Sequence, residues 1–409
     1  MAEPTVRTLT ADEIPGAVRL VGRAMLSDSR DEVQDAWGAE FEPERTHGAF
    51  DEHGALGGVV RWFHSDLSVP GGSLPAGLVS AVAVAPTHRR RGYLRRMIEV
   101  QLAAITAEGR PIATLISAEW PIYGRYGYGP SVEACTWRVD ALTAAFLAPP
   151  SGAIEHVTPA ELRPHLEAVH DLRWTRTPGA VTRLPLVWDR LAGTTPHPGS
   201  TDPAGFLRGA IWRDDAGAVL GAVAYKVTDR WTDNRPRSTA EATLLVGATP
   251  EAERELWRHL CESDWISAVV AEGRGVDDPL PYFLTDGRAA TSQDRFDLIW
   301  SRILDLPATF AAYRTVEERQ AVVHVTDDLG FTSGRWRIEL GPDGSQAVAT
   351  TDTADVRLPI SALGATHLGG TSVGRLHEAG WIDEESPGGV SRLSALLATP
   401  TAPWSPTTY

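Results

Sequence analysis

From Leu78 to Met97 the chain reads Leu-Val-Ser-Ala-Val-Ala-Val-Ala-Pro-Thr-His-Arg-Arg-Arg-Gly-Tyr-Leu-Arg-Arg-Met. The apolar run predicts a buried strand, the basic run a short turn, and the residues after Gly92 the start of a helix. Such a junction is built to hold phosphate. A helix N-terminus offers unpaired N–H groups and about half a positive charge, Gly92 lets the main chain approach a ligand, and three arginines add countercharge. The plainer alternative is a solvated basic turn, but charge runs seldom join so apolar a strand to a helix so directly. The segment is neither a P-loop, which needs Gly-Lys-Ser/Thr, nor a dinucleotide fingerprint, which needs three glycines.

A second signal runs from Ile112 to Pro130, where a strand enters a turn dense in glycine and tyrosine, Ile122-Tyr123-Gly124-Arg125-Tyr126-Gly127-Tyr128-Gly129. Glycine permits positive φ, and a phenol of pKa about 10 can donate a proton to a departing thiolate. Read as bare composition, the same turn is an aromatic hairpin packing a core.

Strand, Arg89-Arg90-Arg91-Gly92 and helix together resemble the acyl-coenzyme A site of the GCN5-related N-acetyltransferases (GNAT), with Leu94 where that pattern has Gly or Ala. Both segments, in this order and wording, resemble the Eis (enhanced intracellular survival) family of acetyltransferases. The resemblance implies Tyr123 as general acid. It also implies that the free C-terminal carboxylate, here that of Tyr409, serves as base, although family members more often end in phenylalanine. It further implies that Val82, Ala83 and Val84 line the pantetheine arm of acetyl-CoA, that Arg90, Arg91, Gly92, Tyr93, Leu94 and Arg95 hold its pyrophosphate, and that Ala118, where relatives can carry serine, and Glu119 lie beside it. Taken alone, the proline-rich ending Pro400–Tyr409 reads as a frayed tail.

The chemistry asks for these groups. An amine of pKa about 10.4 is neutral only on the order of once in a few thousand molecules at pH 7, so a base must take its proton. An α-carboxylate of pKa about 3.3–3.7 does so through an ordered water or with its pKa raised by burial. Main-chain N–H groups along Val82–Val84 can stabilise the oxyanion if the strand splays there.

Composition sets outer limits. At 409 residues the chain calls for two or three domains. A net charge of −15 argues against a nucleic-acid binder and suits cationic substrates, though it also serves solubility. Asp28, Asp31, Glu32 and Asp35, before Trp37, either face such a pocket or form a solvated helix face. No apolar run is long enough to cross a bilayer and the first residues lack signal-peptide character, so the expectation is cytoplasmic. Cys135 and Cys261 suit neither a disulfide framework nor a metal site, and His324, His367 and His377 are scattered; no metal is expected.

The patterning predicts an α/β (mixed α+β) chain in three parts. By resemblance, residues 1–147 form a GNAT acetyl-CoA-binding domain, and 148–298, after the linker Leu147–Gly152, form a degenerate GNAT-like domain that repeats its element order weakly. There Glu251-Ala252-Glu253 follows Pro250 in place of arginines and would repel a pyrophosphate. Residues 299–409, opening near Trp300, form by resemblance a sterol-carrier-like α/β domain that delivers Tyr409. The expected activity is acetyl-CoA-dependent transfer to primary amines of aminoglycoside or polyamine type, in a homohexamer by resemblance. The alternatives are a non-catalytic ligand-binding or regulatory protein on the same fold and a protein-lysine acetyltransferase.

Overall fold

The computed structural model describes residues 3–26, 37–195, 206–407 and Tyr409. Twelve strands between Thr5 and Ile303 form one continuous sheet, in the order Thr5–Thr8, Thr46–Phe50, Leu56–Val69, Gly72–Val84, Ile112–Leu115, Ala290–Ile303, Gly129–Asp140, Ile266–Gly275, Ser238–Gly247, Val219–Thr228, Arg208–Arg213, Ala153–Val157. Neighbours run antiparallel except at two places: Gly72–Val84 beside Ile112–Leu115, and Ser238–Gly247 beside Ile266–Gly275. A parallel pair needs a long crossover, and the helices Tyr93–Ala107 and Pro250–Glu262 supply the two. The sheet therefore holds two similar halves, and the mixed helix-and-sheet class is the one the patterning predicts.

The halves are not separate sheets. Ala290–Ile303, the last strand of the second half, lies between Ile112–Leu115 and Gly129–Asp140 of the first. The linker Leu147–Gly152 thus marks a junction in sequence that the sheet crosses, and even Leu147 is tied down, its N–H donating to the Phe283 carbonyl at 2.9 Å. Trp300, expected to open the third unit, instead pairs with Leu115 and Pro130 inside the large sheet. The third unit's own five-stranded sheet runs Gln346–Ala349, Gly334–Leu340, Arg319–Thr326, Val356–Pro359, Asp383–Glu384. Its helix Ile360–Thr366, buried at every position, lies against the large sheet. Contact there is backbone to backbone: a Cβ on Gly129 or Gly364 would run into the carbonyl of Ser361 or Ser301.

Arg302 joins these parts. Its fully buried guanidinium donates to the Tyr126 carbonyl at 2.9 Å, to the Ile303 carbonyl at 2.7 Å, and to both oxygens of Asp327 at 2.7 and 2.8 Å. Asp327 also accepts from the N–H and hydroxyl of Thr332. Burial pushes its carboxyl up, but the Arg302 charge and these hydrogen bonds hold it below the usual carboxylate range. Both cysteines are free and buried, the Cys261 thiol pushed up to about 12 by burial. His367 meets the Tyr313 hydroxyl at 2.7 Å, His377 the Ile382 carbonyl at 2.8 Å, and His324 Glu385 at 3.9 Å. Among the described residues no His, Cys, Asp and Glu group is placed to hold a metal, and no helix is long and apolar enough to cross a membrane.

Asp327→Asn leaves Arg302 buried without a counter-charge and should cost about 3–5 kcal/mol of stability, read as a lower urea midpoint at unchanged slope. A second expectation concerns pH. Burial lowers the pKa of His47, of His170 to about 3, of His259 to about 4 and of His367 to about 3, and raises those of Tyr123, Tyr126, Tyr128, Tyr313 and Tyr409. The neutral histidines stabilise the fold above their unfolded pKa of about 6.5 and lose that contribution as pH falls. The neutral phenols stabilise it below about 10 and lose it as pH rises. A Tm scan should show a plateau between about pH 7 and 10 with a fall on either side.

Candidate active site

The parallel ladder between Gly72–Val84 and Ile112–Leu115 ends at Val79 and Leu115. Beyond it Ser80–Val84 continues alone against Leu56–Val69, and the two strands part in a wedge. The parting coincides with a bulge: the register moves from Arg61 opposite Ser80 to Val59 opposite Ala83, and Ala81 takes φ 51°. A left-handed alanine costs energy that its surroundings must sustain, as bulges beside functional sites commonly do. Ala85 N–H donates to the Gly57 carbonyl at 2.9 Å, so main-chain alternation turns the N–H groups of Val82 and Val84 to the open side. The Ala83 side chain packs toward the helix Ile14–Ala24, and those of Val82 and Val84 against the cluster around Tyr93 and Met97.

The strand leads into the basic turn. Arg90 has φ 62° and Gly92 φ 83°, and the helix Tyr93–Ala107 begins with no side-chain cap. Its first internal bond runs from Arg96 N–H to the Gly92 carbonyl at 3.0 Å, which leaves the N–H groups of Tyr93, Leu94 and Arg95 pointing outward. Left-handed residues beside a helix start shape a concave cluster of donors suited to phosphate. A Cβ on Gly92 would meet open space, so what this position requires is its φ. Arg89, Arg90 and Arg91 are exposed and make no ion pair among the described residues, whereas Arg95 pairs with Glu99 at 2.8 Å. The Tyr93 side chain is buried against the His88 ring, 5.1 Å away, and can offer a ligand only its N–H.

On the other side of the wedge, Ala118 and Glu119 are exposed and lead into the single turn Trp120–Tyr123. Tyr123, Tyr126 and Tyr128 are buried, the rings of Tyr123 and Tyr128 meeting edge to face at 6.0 Å. Burial, with Tyr126 and Glu119 nearby, pushes the Tyr123 phenol up to about 12. Such a group stays protonated at neutral pH and has a proton to donate. The fully buried Tyr128 hydroxyl has no hydrogen-bond partner among the described residues. Arg302 fixes the whole turn through the Tyr126 carbonyl. Trp120, half-exposed, meets Trp300 edge-on at 5.0 Å beside an open pocket of about 620 Å³ that Trp381, Arg357 and Asp383 line from the third unit.

The end of the chain is packed. Trp404 donates through its indole N–H to the Gly273 carbonyl at 2.8 Å and covers the guanidinium of Arg274 at 4.6 Å. Arg183 holds the Thr407 hydroxyl at 2.7 Å and the Pro406 carbonyl. The Tyr409 ring meets Phe63 edge-on at 5.9 Å, and its hydroxyl lies 2.6 Å from that of Thr114 in the strand Ile112–Leu115. Burial, with Tyr123 and Tyr409 nearby, pushes the Tyr128 phenol well up.

The second half repeats the wedge and fills it. The parallel ladder ends at Ala242 and Ala271 while antiparallel pairing continues to Gly247 across a slip between Ala242 and Leu244. Arg274 occupies the opening, donating to the Leu245 carbonyl at 2.7 Å, Asp278 at 2.8 Å and Glu253 at 3.4 Å. The helix Pro250–Glu262 is capped by the Thr249 hydroxyl, which accepts from Ala252 N–H at 3.1 Å, and carries the buried Glu253 in its first turn.

Asp28, Asp31, Glu32 and Asp35 lie outside the described residues; Trp37 packs edge-on against Phe41 at 5.3 Å. Sequence reasoning missed the left-handed Ala81, the Thr114 contact and the Arg302–Asp327 pair. Only the last had a signal, an arginine within the apolar run Leu298–Ile303.

Residues 5–131 and 179–303 each match an acetyltransferase (GNAT) domain, and 306–406 match a sterol carrier protein domain. The chain is 37% identical to an N-acetyltransferase of Streptomyces griseus, over 99% of each chain. It is 30% identical to the N-acetyltransferase Eis of Mycobacterium tuberculosis, over 97% of each. The crystal structure of Eis1 from Mycobacterium abscessus matches with a TM-score of 0.87 at 30% identity, covering 99% of this chain and 100% of that one. The chain is similar from end to end to these proteins: it belongs to the Eis family of N-acetyltransferases.

Proposed function

We propose that the enzyme transfers acetyl from acetyl-CoA to primary amines of cationic small molecules of aminoglycoside or polyamine type, with Tyr123 as general acid and the Tyr409 carboxylate as base. What supports this reading is that the Tyr409 hydroxyl bonds that of Thr114 in Ile112–Leu115, the strand that forms one side of the wedge and precedes the turn carrying Tyr123. Acetyl-CoA supplies the reactive thioester. Val82, Ala83 and Val84 line its pantetheine arm, with the N–H groups of Val82 and Val84 turned toward it. Arg90 and Arg91, together with the main-chain N–H groups of Gly92, Tyr93, Leu94 and Arg95, hold the pyrophosphate, while Ala118 and Glu119 flank the cofactor. The carboxylate takes the proton of the ammonium, and Tyr123, kept neutral by burial, returns one to the departing sulfur. The net charge of −15 raises the local concentration of cations.

On this reading, residues 1–147 hold acetyl-CoA, 148–298 form a wedge closed by Arg274 and Glu253, and 299–409 deliver the terminus, in a cytoplasmic homohexamer.

Release of coenzyme A thiol, followed with an untagged C-terminus and a panel of aminoglycosides, polyamines and a lysine peptide, identifies the acceptor; silence with every amine overturns the substrate class. Tyr123→Phe should lower kcat by about 100-fold while KM for acetyl-CoA moves less than about two-fold. Three residues appended after Tyr409 should abolish turnover at unchanged Tm, and an active extended chain overturns the base. Because the Tyr123 phenol keeps its proton to about 12, kcat should show no descending limb between about pH 7 and 10.

A further inference from the structure

We infer that Thr114 is a positioning residue: its hydroxyl holds the Tyr409 phenol and thereby sets where the chain's terminal carboxylate stands at the wedge. Thr114 is fully buried, and it is the one polar side chain in the strand Ile112-Ala113-Thr114-Leu115. It sits opposite Leu78, one pair before the parallel ladder ends, so whatever it holds is fixed to the floor of the cleft. Its hydroxyl lies 2.6 Å from that of Tyr409, a short bond for two neutral groups.

The tail's other polar anchors stop short of the end. Ala402 is held by Asp277, Trp404 by Gly273 and Pro178, and Pro406 and Thr407 by Arg183. Beyond Thr407, among the described residues, the terminus is fixed by the Tyr409 ring, through Thr114 at its tip and Phe63 at its edge. A ring with two rotatable side-chain bonds, gripped at its far end, leaves its own carboxylate little freedom. The strand that diverges to open the wedge and the group that takes the proton are thereby tied to one point.

This rests on the reading of the carboxylate as base, and the test separates the two. Thr114→Val keeps the β-branched shape and removes the hydroxyl, which leaves the Tyr409 phenol buried without a partner. It should lower kcat by about ten-fold with KM for acetyl-CoA unchanged. Thr114→Ser should retain most of the rate; Tyr409→Phe alone should lose about as much as Thr114→Val, and the two together no more than either, because each removes the same hydrogen bond. A wild-type kcat in Thr114→Val, or losses that multiply in the double variant, overturns the inference. Wild type, Thr114→Val, Tyr409→Phe and the double variant are melted in parallel. A coupling between the two positions confirms the tether whether or not the carboxylate is the base, and additive melting shifts refute it. Failure of the base itself is read elsewhere, in an extended chain that still turns over.

Discussion

A guanidinium without access to water carries more of this architecture than its size suggests. Arg302 ends the strand that passes from the second half of the large sheet into the first, bonds the carbonyl in the middle of the tyrosine turn, and closes on a carboxylate of the third unit. A buried ion pair of this kind adds little net stability over an apolar substitute, but breaking it is expensive. Its effect is therefore on arrangement: three stretches of chain must be in register before the charge is neutralised, and the turn carrying Tyr123 takes its place only when they are. The energy that specifies the joint is the penalty for assembling it wrongly.

The two wedges show how the same backbone device serves opposite ends. Each arises where a parallel ladder stops and one strand slips against its antiparallel neighbour. In the first, small and apolar side chains leave main-chain donors facing outward and the helix start uncapped. In the second, an arginine and two acids fill the gap, a threonine caps the helix, and a tryptophan from the tail lies across the arginine. An open wedge and one filled by buried charges beneath the chain's own tail differ by a handful of side chains.

Much of this was legible in the sequence, and for local reasons. The strand into Val84, the turn at Arg89–Gly92 and the helix from Tyr93 follow from hydrophobic period and from glycine and proline placement, which act within a few residues. The tyrosine turn stood out through its glycines, but composition does not separate Tyr123 from Tyr126 and Tyr128; the family resemblance alone singles it out. Ala81 did not, because nothing in an alanine announces a positive φ; the bulge is imposed by the strands on either side. Thr114 and Tyr409 lie far apart in the chain, and no periodicity relates them. The insertion of Ala290–Ile303 between two strands of the first half is a choice among partners for an apolar segment, and patterning predicts that such a segment is buried without saying beside what.

That insertion has a consequence during synthesis. The edge of Ile112–Leu115 that Ala290–Ile303 covers stays bare until the ribosome has made the later strand. At about 5–20 residues per second, this is an interval on the order of ten to forty seconds. A nascent chain with an open strand edge and the floor of its cleft unsupported is a template for wrong pairing, so the first half must wait, compact but unfinished, for its missing strand. The tail from Ala402 to Tyr409, which is anchored on both halves of the sheet, arrives later still.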